Sequence, residues 1–311
     1  MGMERATPGG GRLMAARIAS LLPSVTETVC ALGLRDRLVA RSHECDFPPG
    51  IADVPAVTSS RLPADAVTQA QVDSAVTDAA RAGEALYEVD AALLARLAPD
   101  LVITQSLCDV CAVAEGAVLA AVRDLDPPAE VLSLAPGRLD EVIASVQDVA
   151  DAAGVPDAGA ALVASLHARL DAVRERVAGR LPVRVAAVEW IDPPWSAGHW
   201  VPDQVAAAGG VEVLVAPGER SARATWGDVV AARPDVVVLM PCGLSLAEVI
   251  DLAGDVPDIP ARVVAVDASG LFSRPGPRLV DGAEVMARIL HPLPGDGPGG
   301  DSWAWLPGRG G

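Results

Sequence analysis

Two stretches, LARLAPDLVITQSLC at residues 94–108 and VAARPDVVVLMPC at residues 230–242, echo one another, and their reading decides the fold. Each runs from a helix end through a Pro-Asp turn into a short aliphatic run, and then to a Cys. A short apolar run bounded by turn signals reads as a strand buried in a parallel sheet. With one such unit in each half of the chain, the expected fold is α/β with two similar lobes. Ligands of open parallel sheets sit beyond the carboxyl ends of the strands. The two Cys-bearing loops would therefore face each other across one cleft.

Working outward, the pattern predicts strands at 17–22, 38–42, 101–104 and 130–134, and helices at 26–34, 91–97 and 114–123. An insertion-like stretch, 57–89, holds a further helix around 68–81. Helices at 140–153 and 157–178 follow, the second with Leu162, Leu166, Leu170, Val173 and Val177 at helical spacing. At about 1.5 Å per residue that second helix is a rod of about 33 Å. Strands then resume at 183–189, 236–240 and 263–266, with helices at 203–208, 226–232 and 278–290. The implied organisation is a disordered leader (1–15), an N-terminal α/β lobe (16–138), linker helices including a long interlobe helix (139–180), a C-terminal α/β lobe (181–291) and a disordered Gly/Pro-rich tail (292–311). Trp303 and Trp305 are out of keeping with such a tail. A length of 311 residues also favours two domains, at roughly 150 residues each.

The 24 basic residues, all Arg, face 41 acidic ones, for a net charge of −17, and the chain has neither Lys nor Asn. Those two absences read as the mark of a GC-rich genome. The charge, with no Arg stripe, argues against nucleic acid as a partner. At 51% hydrophobic and 21% charged residues, most of the chain can build a core. No apolar run approaches the roughly 18 residues of a membrane span, so a soluble protein is expected. The opening MGMERATPGGGRLMAARIASLLPS has Gly, Pro and Arg where a secretion signal has its apolar centre. The expected location is cytoplasmic as written, or periplasmic or extracellular if the true start lies upstream. Cys30, Cys45, Cys108, Cys111 and Cys242 are then thiols or metal ligands rather than disulfides. The chain has no GxSxG, P-loop, HExxH or glycine-rich dinucleotide motif, and no enzyme activity is expected.

The segments RIASLLPSVTETVCALGLRDRLVARSHECDFPP (17–49), LAPDLVIT (97–104), EWIDPPWSAG (189–198) and FSRPGPRLVDGAEVMARIL (272–290) resemble the periplasmic-type solute-binding proteins with a helical backbone. In particular they resemble the cobalamin-binding component of vitamin B12 ABC importers. The resemblance implies two Rossmann-like lobes with parallel sheets, joined by a long rigid helix, and a ligand held between them with little hinge motion. It also implies aromatic side chains of both lobes stacked on the corrin. The C-terminal lobe offers Trp195 and Phe272, with Trp190, Trp200 and Trp226 nearby; the N-terminal positions are held by Glu44, Ser60 and Gln105. An ABC permease would be the partner, met through a Glu on each lobe. Ala92 and Gly227 stand at those positions, with Asp90 and Asp228 the nearest acids.

Several residues carry ligand chemistry of their own. His43 and Cys45 lie in SHECD, Cys108 and Cys111 in CDVC, and Cys242 after VVVLM, all at predicted carboxyl ends of strands; His199, in AGHW, would face them from the other lobe. Thiolate and imidazole suit zinc, Fe–S clusters or the cobalt of a corrinoid. Small, partly buried Cys are equally ordinary core residues, and Cys30, on an apolar helix face, reads that way. Trp195 and Trp200 could form a stacking platform, and Glu189 could bind a ligand amide or cap a strand. Arg274 and Arg278 either bridge to acidic groups or reach an anion on the ligand. Ser24 and Thr26 would cap the first helix, whose N-terminus could hold an anion. The function expected is non-catalytic binding of a cobalamin-like corrinoid or another metal chelate in the interlobe cleft. The alternative is a cytosolic metal or Fe–S protein, an enzyme included, built on the cleft Cys and His.

Overall fold

In the computed structural model, which describes residues 17–63, 68–82, 84–106, 115–123, 125–297 and 299–306, the first lobe is built on four parallel strands. Its strands are β1 (Ile18–Ser20), β2 (Leu38–Arg41), β3 (Thr58–Ser60), β4 (Tyr87–Val89), β5 (Leu101–Gln105) and β6 (Glu130–Leu134), and its helices α1 (Pro23–Ala31), α2 (Gln69–Ala82), α3 (Ala91–Leu97) and α4 (Glu115–Val122). The sheet order is β2-β1-β5-β6, all parallel. β1 and β5 are buried along their whole length, as strands covered by helices on both faces must be. β3 and β4 form a separate antiparallel ribbon from which α2 is extruded. The insertion is thus a hairpin with a helix at its tip.

The linker is a pair of helices, α5 (Leu139–Ala152) and α6 (Pro156–Val177), packed along each other after a tight turn. A Cβ on Gly159 would run into Ala150, so glycine there lets the two backbones approach closely. The stripe Leu166, Leu170, Val173 and Val177 is buried, as its spacing predicts. α5 packs on α1 and β6 of the first lobe and on α7 (Val201–Ala207) of the second, while α6 packs on α7 and α11 (Leu279–Leu290). One continuous apolar cluster therefore runs from Ile18, Leu22 and Ile103 through Ile143, Val146 and Leu170 to Val185, Val205 and Met286.

The second lobe adds β7 (Val183–Ile191), β8 (Pro194–Ser196), β9 (Gly210–Glu212), β10 (Val236–Leu239), β11 (Arg262–Val266), β12 (Gly299–Gly300) and β13 (Trp303–Trp305), with α8 (Trp226–Ala231), α9 (Leu246–Asp251) and α10 (Ala268–Leu271). β9, β7, β10 and β11 are parallel, but β8 pairs antiparallel with β7, and β13 with β11. The sheet is mixed where a parallel one was expected. The tail differs too. Residues 299–306, expected without order, form the β12–β13 ribbon on the outer side of β11. Trp303 is buried there, and the Arg262 guanidinium lies 3.6 Å from the centre of the Trp305 ring. A three-residue strand beside glycines has no period to detect, which is why the two tryptophans looked unaccountable. The leader 1–15 lies outside the described residues.

Glu212, on β9, accepts from the backbone N–H groups of Ala187 (3.0 Å) and Leu214 (2.8 Å). Burial outweighs these bonds and pushes its carboxyl from 4.5 up to about 8. The folded state thus holds a proton that the unfolded chain releases near pH 4.5. Stability is full below that pH and falls as pH rises toward 8, with a slope of at most about 1.4 kcal/mol per pH unit. Urea unfolding of Glu212→Gln, which stays neutral, should show a flatter dependence than the wild type over that window. Leu170→Ala, in the cluster that both lobes share, should lower stability by about 2–5 kcal/mol with a single unfolding transition retained, as read by denaturant titration.

Candidate ligand-binding cleft

Chain order fixes where a ligand can enter. From β1 the chain moves to β2 on one side and then to β5 on the other, so the strand order reverses at the carboxyl ends of β1 and β5. In the second lobe the same reversal falls between β7 and β10. Open α/β sheets bind ligands at such switch points. The first brings together residues 21–24 and Gln105; the second brings together residues 189–191 and Cys242, whose N–H donates to the Glu189 carbonyl at 3.0 Å.

The lobes already touch beside the first switch point. α1 begins at Pro23, not at residue 26, with Leu22 as its N-cap. Ser24 and Thr26 are therefore inside the helix and cap nothing. Ser24 is buried, and a Cβ on Gly276 of the second lobe would stand 3.2 Å from the Ser24 carbonyl oxygen. The helix end expected to receive an anion is covered by protein. Arg274 is likewise committed. Its guanidinium donates to both Asp46 carboxylate oxygens (2.5 and 3.0 Å), to Glu27 Oε1 (3.2 Å) and to the Glu44 carbonyl (3.4 Å). Arg278 Nη1 stands 3.6 Å from Glu27 and its guanidinium lies over the Phe47 ring. Burial pushes the Glu27 carboxyl up, against the pull of both arginines. Burial also works on Asp46, but there the paired contact with Arg274 prevails and holds the carboxyl below its usual range.

His43 follows β2 in the same interlobe loop. Thr58 Oγ1 donates to Ser42 Oγ at 3.1 Å, so its remaining capacity is to accept, and His43 Nδ1, 2.7 Å away, must carry the donated proton. That leaves Nε2 on the far side of the ring, 3.3 Å from Glu44 Oε1. The His43 contact holds the Glu44 carboxyl low, despite burial. The Tyr87 ring, brought in by the β3–β4 pairing, packs 5.6 Å from the imidazole. Tyr87 and Phe47 are N-terminal aromatics that sequence reasoning missed; the first lies inside the insertion, and the second directly follows SHECD. Ser60 is exposed and Gln105 buried within β5.

Across the cleft, the structure separates the expected tryptophans. Trp190 and Trp195 are cross-strand partners at the end of β7, half-buried. Trp200 and Phe272, expected to touch ligand, are core residues instead. Both are buried, and Trp200 Nε1 donates to the Phe272 carbonyl at 2.7 Å, closing the pair on itself. His199 sits in a loop at φ 54°, its N–H donating to the Glu219 carbonyl. Burial, and then the nearby Arg220, lower its pKa and so favour the neutral ring. Glu189 is half-buried near the Cys242 loop.

Cys45 is buried, 3.0 Å from Thr26 Oγ1, and burial raises its thiol pKa, which keeps it a thiol. Cys108 and Cys111 lie outside the described residues. Among the described residues, no three His, Cys, Asp or Glu side chains converge to hold a metal ion. Asp90 accepts the Leu93 N–H as the N-cap of α3, and Asp228 closes a capping box with Thr225 at the start of α8. Asp90 is the residue before its helix and Asp228 the third residue within its own, and both are exposed.

Residues 18–253 match the family model described as periplasmic binding protein. The chain belongs to the periplasmic binding protein family. That membership makes it a solute-binding protein of the kind ABC importers use, a class that binds its ligand without transforming it. Solved structures agree in fold. The periplasmic vitamin B12 binding protein BtuF of Vibrio cholerae is 21% identical, with 89% of this chain and 97% of that one covered and a TM-score of 0.62. The periplasmic heme-binding protein RhuT from Roseiflexus sp. RS-1 is 24% identical over 89% and 98%, with a TM-score of 0.66. The periplasmic heme-binding protein BhuT, solved with two hemes, is 26% identical over 88% and 97%, with a TM-score of 0.62. A search of curated proteins gave no match. The family is typically periplasmic, and the expectation of a cytoplasmic location finds no support in it. No helix among the described residues is long and apolar enough to cross a membrane.

The Arg274 cluster makes a stability prediction. Arg274→Met strands the buried Glu27 and should cost about 3 kcal/mol in a denaturant titration. Glu27→Met with Arg274→Met should cost less than the single change, since the stranded charge is gone.

Proposed function

We propose that this protein captures a planar, metal-centred tetrapyrrole, a corrinoid such as cobalamin or a haem, between its lobes and hands it to an ABC permease. Family membership supports the capture role, and the ligands of the similar binding proteins, vitamin B12 and haem, support the ligand class. The observation that carries the reading is His43. Its Nδ1–H is fixed by Thr58, which turns Nε2 to the far side of the ring, buried beside Glu44, in a loop that also touches the opposite lobe through Arg274. A metal-ligating His almost always donates its other N–H in this way. Tyr87 and Phe47 on one side, with Trp190 and Trp195 on the other, supply ring surface for a flat ligand. Glu44 Oε1, 3.3 Å from Nε2, would have to give way for a metal to bind there. Asp90 and Asp228, one per lobe and both exposed, suit a permease that grips the two lobes together.

Titration with hemin and with hydroxocobalamin, followed by visible spectroscopy, tests the reading. The wild type should bind one of them with a shift in its absorption bands. His43→Ala should abolish that shift, and Thr58→Val, which removes the acceptor for Nδ1–H, should weaken affinity about 10–100-fold. Binding of neither chelate by the wild type, or an unchanged spectrum in His43→Ala, would overturn it.

A further inference from the structure

α2 leaves the first lobe on the β3–β4 ribbon yet makes its contacts with the second. Gln69 Oε1 accepts the backbone N–H groups of Ile191 (2.8 Å) and Asp192 (3.2 Å), and its carbonyl accepts Trp190 Nε1 (3.3 Å). One turn on, Asp73 accepts Trp195 Nε1 (3.2 Å) and pairs with Arg223 (2.5 Å). Residues four apart share a helix face, so one face of the first two turns of α2 holds both indole N–H groups at the carboxyl end of β7. The helix thus spans the mouth of the cleft, from the loop beyond β3 to the switch point of the second lobe.

The way it is held differs from the apolar packing of α5 and α6. Of its fourteen residues only Gln69 is buried, and none of them joins an apolar cluster. α5 and α6, by contrast, are embedded in the shared core. Segments with few buried apolar contacts open locally at little free energy while the rest of the molecule stays folded. Water can replace each polar contact of α2 as it leaves, and the Asp73–Arg223 pair is open to solvent on its Arg223 side, where ion pairs hold weakly. Gln69 Nε2, buried without a hydrogen-bond partner among the described residues, leaves the closed position imperfectly satisfied.

We infer that α2 is a polar latch across the interlobe cleft, which releases Trp190 and Trp195 to admit ligand and closes over it again, while the lobes themselves stay fixed on α5 and α6. The inference rests on the cleft reading above for what passes through, but the latch can be observed without any ligand. Ligand exchange is then set by opening of the latch and not by rotation of the lobes.

Hydrogen–deuterium exchange on the full chain gives the first readout. Amides in residues 72–82 should exchange far faster than those of α5 and α6. Asp73→Ala, or Arg223→Glu at an exposed site that leaves the core untouched, should speed them about tenfold more, the equivalent of about 1.4 kcal/mol of docking. Stopped-flow mixing with hemin and hydroxocobalamin gives the second. In both variants association and dissociation rates should rise together, with α5 and α6 exchange unchanged. Exchange in α2 as slow as in α5, or α2 exchange unaltered by both variants, would overturn the latch. So would ligand rates identical to wild type in both. If neither chelate binds even the wild type, the ligand assignment falls, and the exchange measurement alone still decides the latch.

Discussion

Continuity of one apolar core through α5 and α6 is the constraint on which the rest of this molecule depends. Two lobes with separate cores would be free to rotate about a linker. Here Ile143 and Val146 of α5 and Leu170 of α6 belong to the same buried cluster as Ile18 of the first sheet and Val185 of the second. Rotating one lobe away from the other along this side would wet that surface, and apolar burial is the largest favourable contribution a domain of this size has. The geometry of the cleft is set by this packing.

On the cleft side the lobes meet in a different chemistry. Arg274 and Arg278 reach across to Glu27, Asp46 and Phe47, and the Gln69 and Asp73 contacts lie near the end of β7. Contacts of this kind are directional and can be exchanged for water, so they specify how the surfaces meet more than they resist separation. The protein therefore has an apolar side that fixes the distance between lobes and a polar side that is free to rearrange.

Much of the fold was legible because its signals are periodic. The paired Pro-Asp strands at 101–105 and 236–239 announced two sheets, and the Leu166–Val177 stripe announced the long helix to within a residue. What escaped depends on contacts distant in sequence. Nothing local distinguishes Trp200, whose indole is satisfied by a carbonyl 72 residues away, from Trp195, which lies at the cleft edge. Arg274 reads as an available cation until Glu27 and Asp46, far earlier in the chain, are seen to enclose it. His43 was visible as a residue type, but the bond that orients it comes from Thr58, across the ribbon. Tyr87 was hidden in the insertion, since only the β3–β4 register brings it to the imidazole.

The β12–β13 ribbon has a consequence for how the molecule comes to be made. β11 carries the run RVVAV, and without β13 beside it those residues would form an open edge rich in β-branched side chains, the kind that recruits strands from other molecules. The residues that close this edge, 303–305, follow every other described strand of the second sheet in chain order. Domains generally fold in order as the chain emerges. Until Trp303 and Trp305 are in place, the edge of β11 has no guard from this ribbon. Shortening the chain before Trp303 would leave that edge open permanently, and the damage would fall on solubility while leaving the cleft intact.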